Sequence, residues 1–331
     1  METPSWHPGS LMAVSGAYWQ TCTLHAGVKL DIFTLIGDQS HTAEALAQKS
    51  GADRRGITML LNALAAMGLL VKKDAAYANT QAAATFLSSE SEAYLGHMIM
   101  HHHHLVESWG RLDEAVMTGK PVRGRASLAD PQRRESFLMG MFNNAMLHAP
   151  AVVKAVDLSG RTRLLDLGGG PGTYAIHFCQ ANPALCATVY DLPTTRPFAE
   201  QTIGRFGLGD RIDFVDGDYV TAAVPGTYDA VWMSHILHGE GPDDCARIVA
   251  KAVSALAPGG LIAIHDFILN DARDSPLFPA LFSLNMLAGT DQGQAYAQGQ
   301  IIDMLTGAGV NQVRRLDFKG PTDSGILVGT V

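Results

Sequence analysis

No segment of this 331-residue chain is apolar without interruption for the ~18–20 residues of a membrane-spanning helix, although 47% of its residues are hydrophobic. The first residues, Met1 to Pro8, lack the basic start and apolar stretch of a secretory signal. Cysteine is sparse: Cys22, Cys179, Cys186 and Cys245 form no C-x-x-C pair, so a disulfide framework is not expected and scattered reduced thiols are. Basic excess is missing too, and the net charge of −8 argues against a nucleic-acid backbone as partner. There is no strong fixed repeat and no low-complexity tract beyond four consecutive histidines. With these absences, the expectation is a cytoplasmic protein of about two domains, with no nucleic-acid or membrane partner.

What is present centres on Leu164-Leu165-Asp166-Leu167-Gly168-Gly169-Gly170-Pro171-Gly172-Thr173, an apolar strand that delivers an acid and a glycine cluster into a helix. Glycines there let backbone N–H groups and a helix N-terminus approach a polar ligand. Taken alone, Gly170-Pro171-Gly172-Thr173-Tyr174-Ala175 also reads as the G-x-G-x-x-A of a dinucleotide dehydrogenase. The following segments supply context. Strand Ala187 to Tyr190 ends in Asp191, placed for two ribose hydroxyls; strand Arg211 to Val215 precedes Asp216-Gly217-Asp218-Tyr219, an acid for an adenine amino group and an aromatic face. Strand Tyr228 to Met233 opens into Ser234-His235-Ile236-Leu237-His238, and strand Leu261 to Ile264 follows the turn Ala257-Pro258-Gly259-Gly260. Each strand carries polar groups at its C-terminal end, where open α/β sheets bind ligands. Gln312 to Phe318 and Gly325 to Thr330 read as a closing hairpin.

The N-terminal part reads as helical: Ala17 to Leu35, His41 to Gly51 with a capping residue and a terminating glycine, and Arg54 to Met67. Leu69 to Val71 and Ala76 to Ala78 flank Lys72-Lys73-Asp74 as a short wing would. Few basic residues accompany this winged-helix pattern, which again argues against DNA. Long helices are expected over Ala93 to Met117 and Pro131 to Val156.

With these segments in order, the chain resembles the class I S-adenosylmethionine (SAM) O-methyltransferases that carry an N-terminal winged-helix dimerisation domain, the acetylserotonin, hydroxyneurosporene and caffeate O-methyltransferase group. The carriers are the Asp-Leu-Gly-Gly-Gly-Pro-Gly loop, Asp191-Leu192-Pro193, Gly217-Asp218-Tyr219, Ile236-Leu237-His238 and Pro258-Gly259-Gly260. The resemblance implies an α/β fold: a Rossmann-like seven-stranded sheet with a mainly helical dimerisation domain. It divides the chain into residues 1–90 (dimerisation), 91–158 (linker helices lining the acceptor pocket) and 159–331 (SAM binding). It also implies a homodimer acting on a small-molecule acceptor, with SAM as methyl donor and S-adenosylhomocysteine (SAH) as product. In cofactor binding, Gly168, Gly170, Gly172, Asp191, Leu192, Asp218 and Tyr219 are expected, with Asp166 orienting the loop or the methionyl amine, Ser234 at the methionyl carboxylate, and Met233 or Trp232 beside the adenosine.

His238 occupies the position of the family's catalytic histidine. A phenol of pKa ~10 needs a base near neutral pH, and an imidazole of pKa ~6.5 suits the task. The family pattern continues His-Asp-Trp, whereas this chain has His238-Gly239-Glu240. Either Glu240 or another acid orients the base, or the base works unsupported. A thiol or thioether acceptor would ask less of it, so S-methylation stands as an alternative, beside an NAD(P)-dependent oxidoreductase and a non-catalytic SAM-binding regulator. Acceptor contacts are expected from His101, His104, Phe142, Asn144, His148, His235, Phe282, Asn285 and Met286. His97, His101 and His104 share a helical face, but no cysteine or carboxylate spacing supports a metal site, and none is expected.

Overall fold

The computed structural model describes residues 6–125 and 130–331. The chain divides into two units, one up to His104 and one from Leu105.

In the first unit, helix α1 (Pro8–Gly16) is followed by α2 (Tyr18–Lys29) and α3 (Ile32–Ile36). The single helix expected over Ala17 to Leu35 is broken at Asp31, whose φ of 54° is left-handed and cannot continue a helical turn. Strand β1 (His41–Thr42) leads into α4 (Ala43–Ser50), capped by Thr42 Oγ1, which accepts the Ala45 N–H. α5 (Arg54–Ala66) begins where Asp53 Oδ1 accepts the Gly56 N–H at 2.8 Å. Strands β2 (Leu70–Lys73) and β3 (Ala76–Asn79) form the expected wing, antiparallel and joined with β1 in the order β1-β3-β2. Ile32, Phe33, Leu46, Ile57, Leu61 and Leu64 close the core of this unit. α6 (Gln81–Phe86) and α7 (Gly96–Trp109) follow. The helix expected to reach Met117 stops at Gly110-Arg111 and resumes as α8 (Leu112–Thr118).

The second unit is a sheet between two helical layers. α9 (Pro131–Ala155), capped by Asp130, precedes β4 (Arg163–Leu167), α10 (Thr173–Ala181), β5 (Cys186–Asp191), α11 (Arg196–Arg205), β6 (Ile212–Asp216) and β7 (Tyr228–Ser234). A 3₁₀ turn (Leu237–Gly239) leads to α12 (Pro242–Ser254), β8 (Leu256–Leu269), α13 (Leu277–Gly289), β9 (Tyr296–Ala297), α14 (Gln298–Gly307), β10 (Asn311–Arg315) and β11 (Ser324–Thr330). The strand order is β6-β5-β4-β7-β8-β11-β10, with the short β9 pairing β8 outside this path. β4 to β8 are parallel, and β11 runs antiparallel between β8 and β10.

Alternation along the strands divides the core. Leu164, Trp232 and Ala263 face the layer holding Val152, Phe178 and Ile203, while Leu165, Val231 and Ile262 face Ile248, Val249, Ile301 and Leu305. The strand order reverses between β4 and β7, so the crevice at their carboxyl ends is the switch point at which such sheets bind ligands. β8 is longer than the expected Leu261 to Ile264 and carries His265 and Asp266 to that end. Among the described residues no helix is long and apolar enough to cross a membrane.

Leu61 has no exposed surface in the first unit's core. Leu61→Ala is expected to lower stability by about 2–5 kcal/mol, because the cavity adds to the lost burial; urea unfolding followed by tryptophan fluorescence checks it.

Candidate active site

The loop after β4 has left-handed backbone at Gly168 (φ 68°), Gly170 (φ 55°) and Gly172 (φ 80°), which L side chains resist. At Gly168 a Cβ would also come within 2.5 Å of the Ile236 side chain and 3.2 Å of the Tyr219 ring, so backbone, apolar side chain and ring converge there. Asp191, at the end of β5, secures the loop: Oδ2 accepts the Gly170 N–H at 2.8 Å, while Oδ1 accepts the Leu192 N–H at 2.7 Å and the Thr195 hydroxyl at 3.1 Å. Oδ2, with a single protein donor, keeps a further lone pair for a ligand hydroxyl. Asp218 turns inward on its own loop, accepting from Val220 N–H and the Thr221 hydroxyl.

Asp166, beneath the loop, is buried. Its Oδ2 accepts the Ala175 N–H at 3.2 Å, and its Oδ1 has no hydrogen-bond partner among the described residues. Burial pushes this carboxyl up to about 7, against the Ala175 N–H and with the help of Asp191. A glycine cradle, an aromatic lid and an orphaned acidic oxygen fit a ligand with both apolar and polar or cationic parts. Of the other expected contacts, Ser234 ends β7, Met233 is wholly buried in the second core layer, and Trp232 is a core residue packed with Tyr174 and Phe178 rather than a wall of the crevice.

A chain of hydrogen-bonded polar groups, half-buried at Ser234 and His235 and buried at His265 and Ser324, follows β7. Ser234 Oγ lies 2.9 Å from His235 Nδ1 and 3.1 Å from His265 Nδ1, and His265 Nε2 lies 3.0 Å from Ser324 Oγ. Burial lowers His235 to about 4, opposed by Asp266, and holds His265 well below the usual imidazole range, so both are neutral at physiological pH.

His238 sits on the 3₁₀ turn, with Nδ1 2.7 Å from Asp266 Oδ1. Asp266 also accepts the Phe267 N–H at 2.8 Å. Burial works against its charge, but the facing and bonded His238, together with His235 and the Phe267 amide, holds it below the usual carboxylate range. A carboxylate only accepts, so Nδ1 carries a proton, and in the neutral imidazole the lone pair then lies on Nε2. Phe282 meets the imidazole edge-on at 4.7 Å between centroids, and Phe267 stacks at 5.8 Å.

Glu240 is therefore not the acid that orients His238. Its carboxylate is engaged by Arg125, with Nη1 to Oε1 at 2.5 Å and Nη2 to Oε2 at 2.8 Å. Arg125 Nη2 also donates to the Gly239 carbonyl, and Tyr296 donates to the Glu240 carbonyl, so this pair clamps the backbone next to His238. Asp266 was missed because the strand was expected to end at Ile264. The rule that picked out Asp191, an acid at a strand's carboxyl end, applies to it equally.

The expected acceptor residues scatter. Asn285 and Met286 follow Phe282 on α13, and Asn285 accepts from Arg123. His148, on α9, shares a hydrogen bond with Asn144 at 3.3 Å, and Asn144 is exposed, not the buried amide expected. Phe142 is buried with its ring against Phe206, a core position. His101 and His104 lie on α7 within the first unit, ringed by His102 and His103 respectively. Among the described residues, no three His, Cys, Asp or Glu side chains are placed to hold a metal ion.

Because the folded-state value of Asp166 lies above its ordinary value of 3.8, its protonated form favours folding, and stability falls as pH rises from about 4 to about 7. Asp166→Asn is expected to flatten that slope in urea unfolding across this range; an unchanged slope would exclude Asp166 as its source.

Residues 109–311 match the family model of an O-methyltransferase domain, and residues 12–89 that of an O-methyltransferase dimerisation domain. The chain is 34% identical to a 3-hydroxy-5-methyl-1-naphthoate 3-O-methyltransferase of Streptomyces sahachiroi, over 97% of this chain and 95% of that one. It is 32% identical to the tetracenomycin polyketide synthesis 8-O-methyl transferase TcmO of Streptomyces glaucescens, over 96% and 97%. Among solved structures, PigF with SAH superimposes with a TM-score of 0.90 at 27% identity, covering 98% of this chain and all of that one. The dinucleotide reading of the glycine loop gives way to these matches, and the chain belongs to the SAM-dependent O-methyltransferase family with an N-terminal dimerisation domain.

Proposed function

We propose that this enzyme transfers a methyl group from SAM to a hydroxyl of a small aromatic acceptor, with His238 as general base and Asp266 as the residue that orients it. The observation carrying the assignment is the 2.7 Å contact between His238 Nδ1 and Asp266 Oδ1. SAM supplies a methyl group already activated on a sulfonium, so the chain has to align the acceptor oxygen and remove its proton. Gly168, Gly170 and Gly172 with Asp191, Leu192, Asp218 and Tyr219 would hold the donor, and Asp166 and Ser234 its charged amino-acid end.

His238 Nε2 takes the acceptor's proton. The imidazolium that results faces the charged Asp266, which stabilises it where water is excluded by Phe267, Phe278 and Phe282. Glu240 contributes through the backbone: its pairing with Arg125 fixes the turn from which His238 projects. The sulfur alternative rested on a base without its acid, and Asp266 removes that premise. Aromatic hydroxyl acceptors in the names of the relatives support the same reading.

Purified enzyme incubated with methyl-deuterated SAM and a small-molecule extract should place label on an aromatic hydroxyl oxygen. His238→Ala should lose about 10²–10⁴-fold in turnover while still binding SAH, and Asp266→Asn should fall in the same direction. Label on sulfur or nitrogen, or full turnover by His238→Ala, would sink the assignment.

The enzyme is proposed to act as a homodimer through its N-terminal unit. α1 buries none of its residues, and Leu11, Met12, Val14, Tyr18 and Trp19 are exposed together on α1 and α2, an apolar patch of the kind that marks an interface. A Met12→Glu, Trp19→Glu double variant should sediment as a monomer where wild type sediments as a dimer; a dimeric variant would place the interface elsewhere.

A further inference from the structure

After α8, the chain lays Arg123 and Arg125 against elements that carry or face the base. Arg125 is neutralised by Glu240. Arg123 is not paired with any carboxylate among the described residues. Its hydrogen-bond acceptors there are the backbone oxygen and Oδ1 of Asn285, both reached by Nη2, at 3.1 and 3.0 Å. Its Nε is buried without a partner. Burial draws the guanidinium below its ordinary value, with no neighbouring acid to oppose it.

The position is anchored. Val122 and Arg123 N–H groups both donate to the Ala288 carbonyl, at 3.0 and 3.1 Å, pinning the segment to the end of α13. A cation at a helix C-terminus is favourable, which accounts for the Nη2 contacts. It does not account for a buried Nε without an acceptor, nor for a half-buried charge without a counter-charge.

Asn285 lies three residues beyond Phe282, so the two share a face of α13 about one turn, ~5 Å, apart. Phe282 is the residue whose ring meets His238 edge-on at 4.7 Å. Asn285, which the guanidinium contacts, is thus one helical turn from the residue whose ring meets the base. We propose that Arg123, braced by Asn285, recognises a carboxylate on the acceptor, which makes the preferred substrate a hydroxylated aromatic acid whose hydroxyl meets His238 while its carboxylate pairs with Arg123. This rests on the assignment of His238 as the acceptor-facing base. A carboxylate supplies both missing elements, an anion and an acceptor for Nε, in the bidentate geometry that guanidinium favours. Held at Arg123, the carboxylate leaves the hydroxyl as the group that meets His238.

The test measures equilibrium binding of 3-hydroxy-1-naphthoate and of 2-naphthol to the SAH-loaded enzyme, for wild type, Arg123→Gln and Arg123→Lys. Wild type should bind the acid at least about tenfold more tightly than the naphthol, Arg123→Gln should abolish that preference with the naphthol affinity unchanged, and Arg123→Lys should retain part of it. Equal affinities in wild type, or a preference that survives in Arg123→Gln, would overturn the proposal. The wild-type comparison decides even if Arg123→Gln does not fold. Because the readout is binding, it is independent of turnover: a carboxylate preference with no effect of His238→Ala on methylation would refute the base and leave Arg123 standing.

Discussion

A carboxylate with 3% of its surface exposed, at the end of an inner strand, is the constraint on which this site depends. Against its burial, His238 facing it, with His235 and the Phe267 amide, holds Asp266 below the usual carboxylate range. The arrangement requires the sheet to hold still. β8 is paired on both sides at this level, with Ser234 opposite His265 on β7 and Gly325 opposite Asp266 on β11. A one-residue slip would turn Asp266 to the other face, so the antiparallel β11 registers the acid as much as it completes the sheet. Ser234, His265 and Ser324 also fasten the same three strands by side chains.

The donor side follows a similar logic with backbone groups. Left-handed glycines leave the loop after β4 without side chains where Ile236 and Tyr219 approach, and Asp191 spends one oxygen on the Gly170 amide to hold the loop in that shape. An acid expected only to contact a ribose thus has a prior structural duty. Asp166 shows the converse: it is buried at a cost that raises its pKa and leaves an oxygen without a partner among the described residues.

Two arginines five and seven residues beyond the last residue of α8 divide labour around the acceptor end. Arg125 and Glu240 cancel each other's charge and stiffen the turn under His238, whereas among the described residues Arg123 meets only neutral oxygens. Neither pairing is visible from spacing, since Arg125 and Glu240 are 115 residues apart and Arg123 and Asn285 are 162.

Local sequence determined what depends on local physics. The capped helix from His41, the wing, the strand-to-glycine-to-helix turn and Asp191 at its strand end were legible, because glycine conformations, capping side chains and apolar alternation act over a few residues, whereas His238 was placed by the family resemblance. Phe282 and Asn285 were legible as a mixed helical face, and family motifs supplied their context. Tertiary structure decided the partners. It put Asp266 rather than Glu240 against His238, made Trp232 and Phe142 core, left Asn144 exposed and left the Arg123 Nε without a partner among the described residues. The physical reason is that a charged side chain's role is set by which opposite charge the folded chain brings within hydrogen-bonding distance, and those distances come from sheet register and strand length rather than from neighbours in sequence.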